Sequence, residues 1–186
     1  MSEATMSETA LMISSFALSF TIFSFWWMNW RKGSLLVSSV RTYAAGKLGN
    51  KLFVRLPLIF FNPGALPVLV ENLRLTFLNI DNTRSFLFFN ATVEKLKPDE
   101  KIKNDLATPF AVHKGQALLQ ICEFVQMPSS FKFELKNYDF ILEAQVGGET
   151  DWKEIKTFQL KIRPSQVHDL NTAFIIHDND PQLNQQ

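Results

Sequence analysis

The chain has 186 residues, 46% hydrophobic and 20% charged, enough to bury the core of one domain plus a short accessory segment, and too apolar for a wholly disordered protein. Nineteen Lys and Arg against eighteen Asp and Glu leave a net charge of +1, which gives no electrostatic footprint for nucleic acid. One cysteine, Cys122, excludes an intramolecular disulfide and a thiolate zinc cluster.

Residues 1–8 form a short tail with Glu3 and Glu8 as its only charges. Residues 9–30 follow without a charge, and 15 of the 21 residues from Ala10 to Trp30 are apolar. At about 1.5 Å per residue they make roughly 30 Å of helix, the thickness of a bilayer core. The stretch ends in Trp26, Trp27 and Trp30 followed at once by Arg31 and Lys32, an aromatic belt with a basic flank at a membrane interface. A transmembrane helix is therefore expected. A cleaved secretory signal, with Tyr43-Ala44-Ala45 as its processing site, would want positive charge before the apolar run, where this chain has acid. Ala10, Ser14, Ala17, Thr21 and Ser24 recur at spacings of four and three and form a small-residue face suited to helix association. Phe16, Phe20, Phe23 and Trp27 line the other side.

Residues 31–51 read as a basic juxtamembrane connector. Arg31, Lys32, Arg41, Lys47, Lys51 and Arg55 follow the span with no acidic residue among them, so the positive-inside rule puts the amino terminus outside and the rest of the chain in the cytoplasm. The same charges suit an anionic lipid surface. The sequon Asn90-Ala91-Thr92 would matter only on the lumenal side.

From Leu52 the apolar period is two, as in β-strands. Leu52, Val54, Leu56, Leu58 and Phe60 share one face, and Asn62-Pro63-Gly64 ends the strand. The second strand, from Val70, turns Leu73, Leu75 and Phe77 inward and Asn72, Arg74 and Thr76 outward. The third, Arg84 to Val93, is apolar on both faces through Phe86, Leu87, Phe88 and Phe89, so it is central or covered on both sides. A charged connection over 94–108 would cross between sheets. Further strands are expected at Ala117–Gln126, Phe131–Leu135, Tyr138–Val146 and Trp152–Arg163, with Gly147-Gly148 as a tight turn. Seven strands within residues 52–163 predict an immunoglobulin-like antiparallel β-sandwich without the antibody-type disulfide. The tail, 164–186, is polar and expected to be largely disordered, except that Ala173-Phe174-Ile175-Ile176 could dock on the domain.

Chemistry is hard to find. His113, His168 and His177 are far apart, so no metal site is expected. Cys122 reads as a buried structural thiol. There is no nucleophile elbow, phosphate loop or dinucleotide fingerprint, and no cofactor is implied. From Leu56 to Gln186 there are 13 basic and 16 acidic residues, a net of −3, which argues against nucleic acid as a partner. The expected function is non-catalytic: a protein-binding or scaffolding module at the cytoplasmic membrane face, or alternatively a lipid or apolar-ligand handling or stress-protective module. Its partners would be membrane lipid and a protein, or a second copy engaged through the helix. Candidate contact residues for a partner are Asn62, Pro63, Gly64 and Pro67 at the first strand end, with Phe86 and Phe88.

The run Phe60-Phe61-Asn62-Pro63-Gly64-Ala65-Leu66-Pro67-Val68-Leu69-Val70-Glu71-Asn72-Leu73 resembles the strand, Asn-Pro, Pro-Val, strand segment of the late embryogenesis abundant group 2 domains, also called water stress and hypersensitive response domains. With the looser match at Pro109-Phe110-Ala111-Val112 it covers a quarter of the chain. The resemblance implies a β-sandwich, sometimes behind a single membrane helix, a protective or adaptor-like role, and no catalytic residues. The plant membrane members place that domain outside the cytoplasm, opposite to the charge reading.

Overall fold

The computed structural model describes residues 3–78, 83–97, 105–127 and 131–179. Alternation of apolar and polar side chains builds the long strands: β3 (Lys51–Phe61) buries Leu52, Val54, Leu56, Leu58 and Phe60 completely, and β4 (Val68–Leu78) buries Leu73, Leu75 and Phe77. In β5 (Arg84–Val93) Leu87, Phe89, Ala91 and Val93 turn inward, and in β8 (Ala117–Gln126) Cys122 and Phe124 do. β9 (Asn137–Val146) buries Tyr138, Phe140, Leu142 and Ala144, and β10 (Lys153–Lys161) buries Phe158 and Leu160. Gly147 and Gly148 both have positive φ, but β9 and β10 are joined by the six residues 147–152, so the two glycines begin a longer loop in place of the expected tight turn.

Short strands complete the sheet: β1 (Leu36–Val37), β2 (Thr42–Leu48), β6 (Asp105–Leu106), β7 (Phe110–Val112) and β11 (Phe174–Asp178). The order is β10-β9-β4-β5-β8-β3-β2-β11, with β1 on β3, β6 on β5 and β7 on β4. The domain is thus mainly β, but the seven-strand sandwich expectation is corrected: eleven described strands belong to one hydrogen-bonded sheet curled into a half-barrel. The cause lies in β5. Its first half pairs with β4 (Phe86 opposite Thr76) and its second half with β8 (Thr92 opposite Cys122), the exchange falling at Phe88, with a register shift between Phe89 and Ala91. A strand that changes partners through a bulge makes a corner. The strand is central, as expected, but its outer face is only partly covered, with Phe88 exposed.

Three further expectations change. The connector contains β2, whose Tyr43, Ala44 and Ala45 are fully buried, so Tyr-Ala-Ala is part of the core. Phe131–Leu135 is no strand: Phe131 and Phe133 pack on Phe77 and Tyr138, while the backbone of Phe133 is bracketed by Asn171, which accepts from its N–H at 2.9 Å and donates to its carbonyl at 2.8 Å. A side-chain amide takes the place of a neighbouring strand. The tail, finally, is structured over residues 164–179. Helix α2 (Pro164–Thr172) starts at a proline with fixed φ and buries Leu170, and β11 pairs with β2 from Phe174 opposite Gly46 to Asp178 opposite Thr42. Docking of the Phe174–Ile176 patch on its own domain is what the structure shows, and the polar composition concealed it because α2 needs only one narrow apolar contact. The last residues, 180–186, lie outside the described ones.

Asn179 closes the curl. Its side chain donates to the carbonyls of Gln159 (2.8 Å) and Val40 (3.1 Å) and accepts from the Lys161 N–H (3.2 Å), and its own N–H donates to Arg41 O (2.6 Å). One amide joins β10 to the start of β2 across the open side. Replacing it by alanine, Asn179→Ala, removes three bonds, and a loss of about 1–3 kcal/mol in denaturant unfolding of the full chain is expected.

His177 of β11 is buried, stacks 5.3 Å from the Tyr43 ring, and leaves Nε2 without a hydrogen-bond partner, as does the Tyr43 hydroxyl. Burial holds the imidazole below its ordinary pKa against the opposing charge of Asp169, and pushes the Tyr43 phenol up to about 12. A depressed histidine pKa means the unfolded chain takes up the proton first, so stability is full above about pH 6.5 and falls as the pH drops from there to the folded value. Unfolding of the full chain at stepped pH should show this slope, and His177→Phe should remove it.

Candidate functional site

Helix α1 (Glu3–Asn29) is the one described helix long and apolar enough to cross a membrane; over Ser7–Asn29 its mean hydropathy is 1.5 and none of it is buried. Four of its polar side chains bond back within the helix: Ser14 donates to Ala10 O (2.5 Å), Ser15 to Leu11 O (2.9 Å), Thr21 to Ala17 O (2.8 Å) and Asn29 to Phe25 O (2.8 Å). The small face Ala10, Ser14, Ala17, Thr21 and Ser24 is therefore exposed without free hydroxyl donors at Ser14 and Thr21. The aromatic belt is ordered: Trp27 stacks on Phe23 at 6.1 Å, Trp30 meets Phe25 edge-on at 5.8 Å, and the Arg31 guanidinium lies 4.8 Å over Trp27.

The exit from this helix is where the expected contact residues converge. Arg31 also donates to the Pro63 carbonyl, and Arg31 O accepts from the Ala65 and Leu66 N–H groups at 2.9 and 3.3 Å. Gly33 and Gly64 cross at backbone distance. A Cβ on Gly64 would stand 2.4 Å from Gly33 Cα and 2.5 Å from Lys32 O, and a Cβ on Gly33 would stand 2.5 Å from Leu66 O. At the centre lies Asn62, fully buried. Its Nδ2 donates to Leu66 O (2.8 Å) and Val112 O (3.0 Å); its Oδ1 accepts from the N–H groups of Gly64 (2.8 Å) and Ser34 (3.3 Å). Its carbonyl takes the Gly115 N–H at 2.8 Å. In the same turn Lys114 reaches Met28 O at 2.7 Å, on the last turn of α1.

The loop Asn62–Pro67 thus engages the chain's own helix exit: of the residues expected to meet a partner, Asn62 has used its amide, Pro63 is half-buried and Gly64 is buried. Pro67 stays exposed and lines an open cleft of about 630 Å³ between Lys32–Leu35 and the Gly147 turn, with Val68, Val146 and Ile155 inside and Lys32, Glu149 and Lys153 at its rim. Lys153 and Glu149 are ion-paired.

Phe86 and Phe88 lie elsewhere, on the outer face of the sheet. Phe86 is covered by Arg74, whose guanidinium lies 4.7 Å over it and 4.3 Å over Trp152, and which pairs with Glu143 directly opposite on β9 at 2.7 Å. Phe88 is 55% exposed. Burial alone would raise the Glu143 carboxyl, but bonds from Arg74 and Thr76 and the charges of Arg74 and Arg84 hold it below the usual carboxylate range. A second cross-strand pair, Arg55 with Glu123 at 2.7 Å, is buried under Phe174, and Asn90 donates to Glu123 at 2.9 Å. Cys122 is buried and its thiol pushed up to about 12 by desolvation, an unreactive position. Among the described residues no three His, Cys, Asp or Glu side chains converge as a metal site. Lys114 and Ser34 carry no sequence signal for their roles. Asn-Pro-Gly did mark the place, though as a turn.

No protein-family model matches this chain, and no curated protein does. Solved structures that align with it include a Bordetella pertussis protein given the name ApaA, 12% identical over 72% of this chain and 98% of that one with a TM-score of 0.36. An Archaeoglobus fulgidus protein is 10% identical over 68% and 98%, with a TM-score of 0.40. Likeness at this level decides neither fold nor function.

Gly64→Ala should break the crossing with Gly33 at a cost of about 1–3 kcal/mol. In detergent-solubilised full chain it should hasten tryptic cleavage after Arg31 and Lys32, followed by gel electrophoresis, and by more than Gly49→Ala, which is strained by its positive φ but meets no neighbouring atoms and so controls for backbone strain alone.

Proposed function

We propose that this chain is a single-pass membrane protein whose β domain is a non-catalytic binding or scaffolding module, held in a fixed attitude at the cytoplasmic face by its helix exit. The observation that carries the reading is the junction itself: an apolar, wholly unburied helix of membrane-spanning length ends in an interlocked turn of backbone, with Asn62 bonding both the exit and the sheet. A flexible tether would need none of this. The basic run from Arg31 to Arg55 supports the cytoplasmic side. Self-association through the small-residue face of α1 is compatible with close helix approach.

With Asn62 engaged, the surface for a protein partner is the outer sheet face around Phe88, the exposed member of the expected pair. The likeness to the group 2 late embryogenesis abundant domains falls on the segment that forms the helix-exit hub and adds an adaptor-like role as part of this proposal. The interior phenylalanines contact one another, Phe77 with Phe131 and Phe140 at 5.0 and 5.1 Å and Phe140 with Phe158 at 5.9 Å, which favours a packed core over an apolar-ligand site.

Two measurements test this. Alkaline carbonate should leave the chain in the membrane pellet, and external protease on sealed right-side-out vesicles should spare the fragment carrying Cys122, detected by alkylation after denaturation; its digestion would overturn the orientation. Cross-linked purification from native membranes should recover a protein with the wild-type chain and lose it with Phe88→Asp. Recovery of lipid or another apolar compound alone would favour the ligand-handling module instead.

A further inference from the structure

The outer sheet face carries an exposed apolar strip that neither the core nor the helix exit uses. Leu36 is 52% exposed, Phe61 37%, Ile59 42% and Leu119 62%. The strip is continuous across three strands, because Leu36 faces Phe61 between β1 and β3 and Ile59 faces Leu119 between β3 and β8. Grouped exposed apolar side chains of this kind mark an interaction surface.

Its position names the occupant. Phe61 adjoins Asn62, whose amide holds Ser34; Leu36 is two residues beyond Ser34; and Ala117, opposite Phe61, follows the turn whose Lys114 binds Met28 O. The strip therefore starts at the point where α1 leaves the domain. Ile59 and Leu119 lie two residues farther along their strands, about 7 Å at strand rise. The polar layer outside a bilayer's hydrocarbon core is about 5–8 Å thick on each side. Every member of the strip thus falls within or at the edge of that layer, and the locked exit prevents the domain from swinging it away. Lys32, exposed at the same end, supplies a cationic group for lipid phosphates.

We infer that Leu36, Ile59, Phe61 and Leu119 form a monotopic lipid-contact surface, which seats one face of the β domain in the headgroup layer of the same bilayer that α1 crosses. This rests on the membrane-spanning reading of α1 and adds a second, sideways attachment to it. The domain then lies against the membrane, with the Asn137 end of β9 directed away.

The test uses full chain reconstituted in vesicles of phosphatidylcholine with phosphatidylserine, an environment-sensitive fluorophore on Leu119→Cys or Ile59→Cys, and Asn137→Cys as the distal control. Buried Cys122 serves as the folding check, since it should label only after denaturation. Expected are blue-shifted emission at positions 119 and 59 and loss of intensity with headgroup-region spin-labelled lipid, with neither at 137. Carbonate extraction of the same samples reads α1 separately. Water-like emission at 119 and 59 in carbonate-resistant protein overturns the lipid-contact surface and leaves the anchor intact. Release by carbonate overturns the anchor and this inference with it. A blue shift without lipid quenching, together with a disulfide dimer when the unlabelled Leu119→Cys chain is treated with a mild oxidant, overturns it in favour of a second copy on the strip.

Discussion

One buried amide joins the two parts of this protein. A fully buried asparagine must satisfy both its donors and its acceptor, because a polar atom left unpaired in the interior costs a kcal/mol or more, on the order of 1–3. Asn62 meets that demand with groups from the helix exit (Ser34), its own loop (Gly64, Leu66) and β7 (Val112). None of these segments can move without breaking a bond to the same side chain. Gly33 and Gly64 permit the approach, and Arg31 adds a bond from the far side while resting on Trp27.

The curl of the sheet follows from a different constraint. β5 serves two neighbours in succession, and the turn it imposes brings β10 toward the start of β2, where Asn179 bonds both. Two asparagines thus fix the geometry, one where the helix meets the sheet and one where the sheet's edges meet. Between them two arginine–glutamate pairs sit on the outer face in cross-strand register, Arg55–Glu123 under Phe174 and Arg74–Glu143 between aromatic rings. Desolvation offsets much of the attraction in the buried pair, so its net contribution to stability is small compared with the cost of removing one partner and leaving the other charge buried.

Function follows from attitude. A module tied to a membrane by a flexible linker presents all its faces in turn, whereas one locked at its helix exit holds the exit end of a face near the membrane and the far end of that face away from it. The strip at Leu119 and the exposed Phe88 lie at different heights on the same sheet face, six residues of β8 separating Leu119 from Val125, the partner of Phe88. The proposed lipid contact and the proposed protein contact are therefore compatible.

Patterning with short period was legible from the chain alone. Fifteen apolar residues in 21 ending in three tryptophans marked α1, and alternation marked β3, β4, β9 and β10 with their inward faces, down to Leu73, Leu75 and Phe77, whereas β5 and β8 were legible as strands without an inward face. Both are local consequences of helix and strand geometry, so a linear reading reaches them. The buried thiol of Cys122 belongs with them, set by its place in an apolar strand. What depended on the fold was every contact between residues remote in sequence: β5 changing partners, Asn171 standing in for a strand beside Phe133, the tail forming α2 and β11, and Lys114 reaching Met28 across 86 positions. A side-chain amide carries no periodicity, and its role is decided by which unsatisfied backbone groups the packed chain brings within about 3 Å. Asn62 shows the boundary: its sequence neighbourhood announces a turn, and only the tertiary structure makes that turn the joint between helix and sheet.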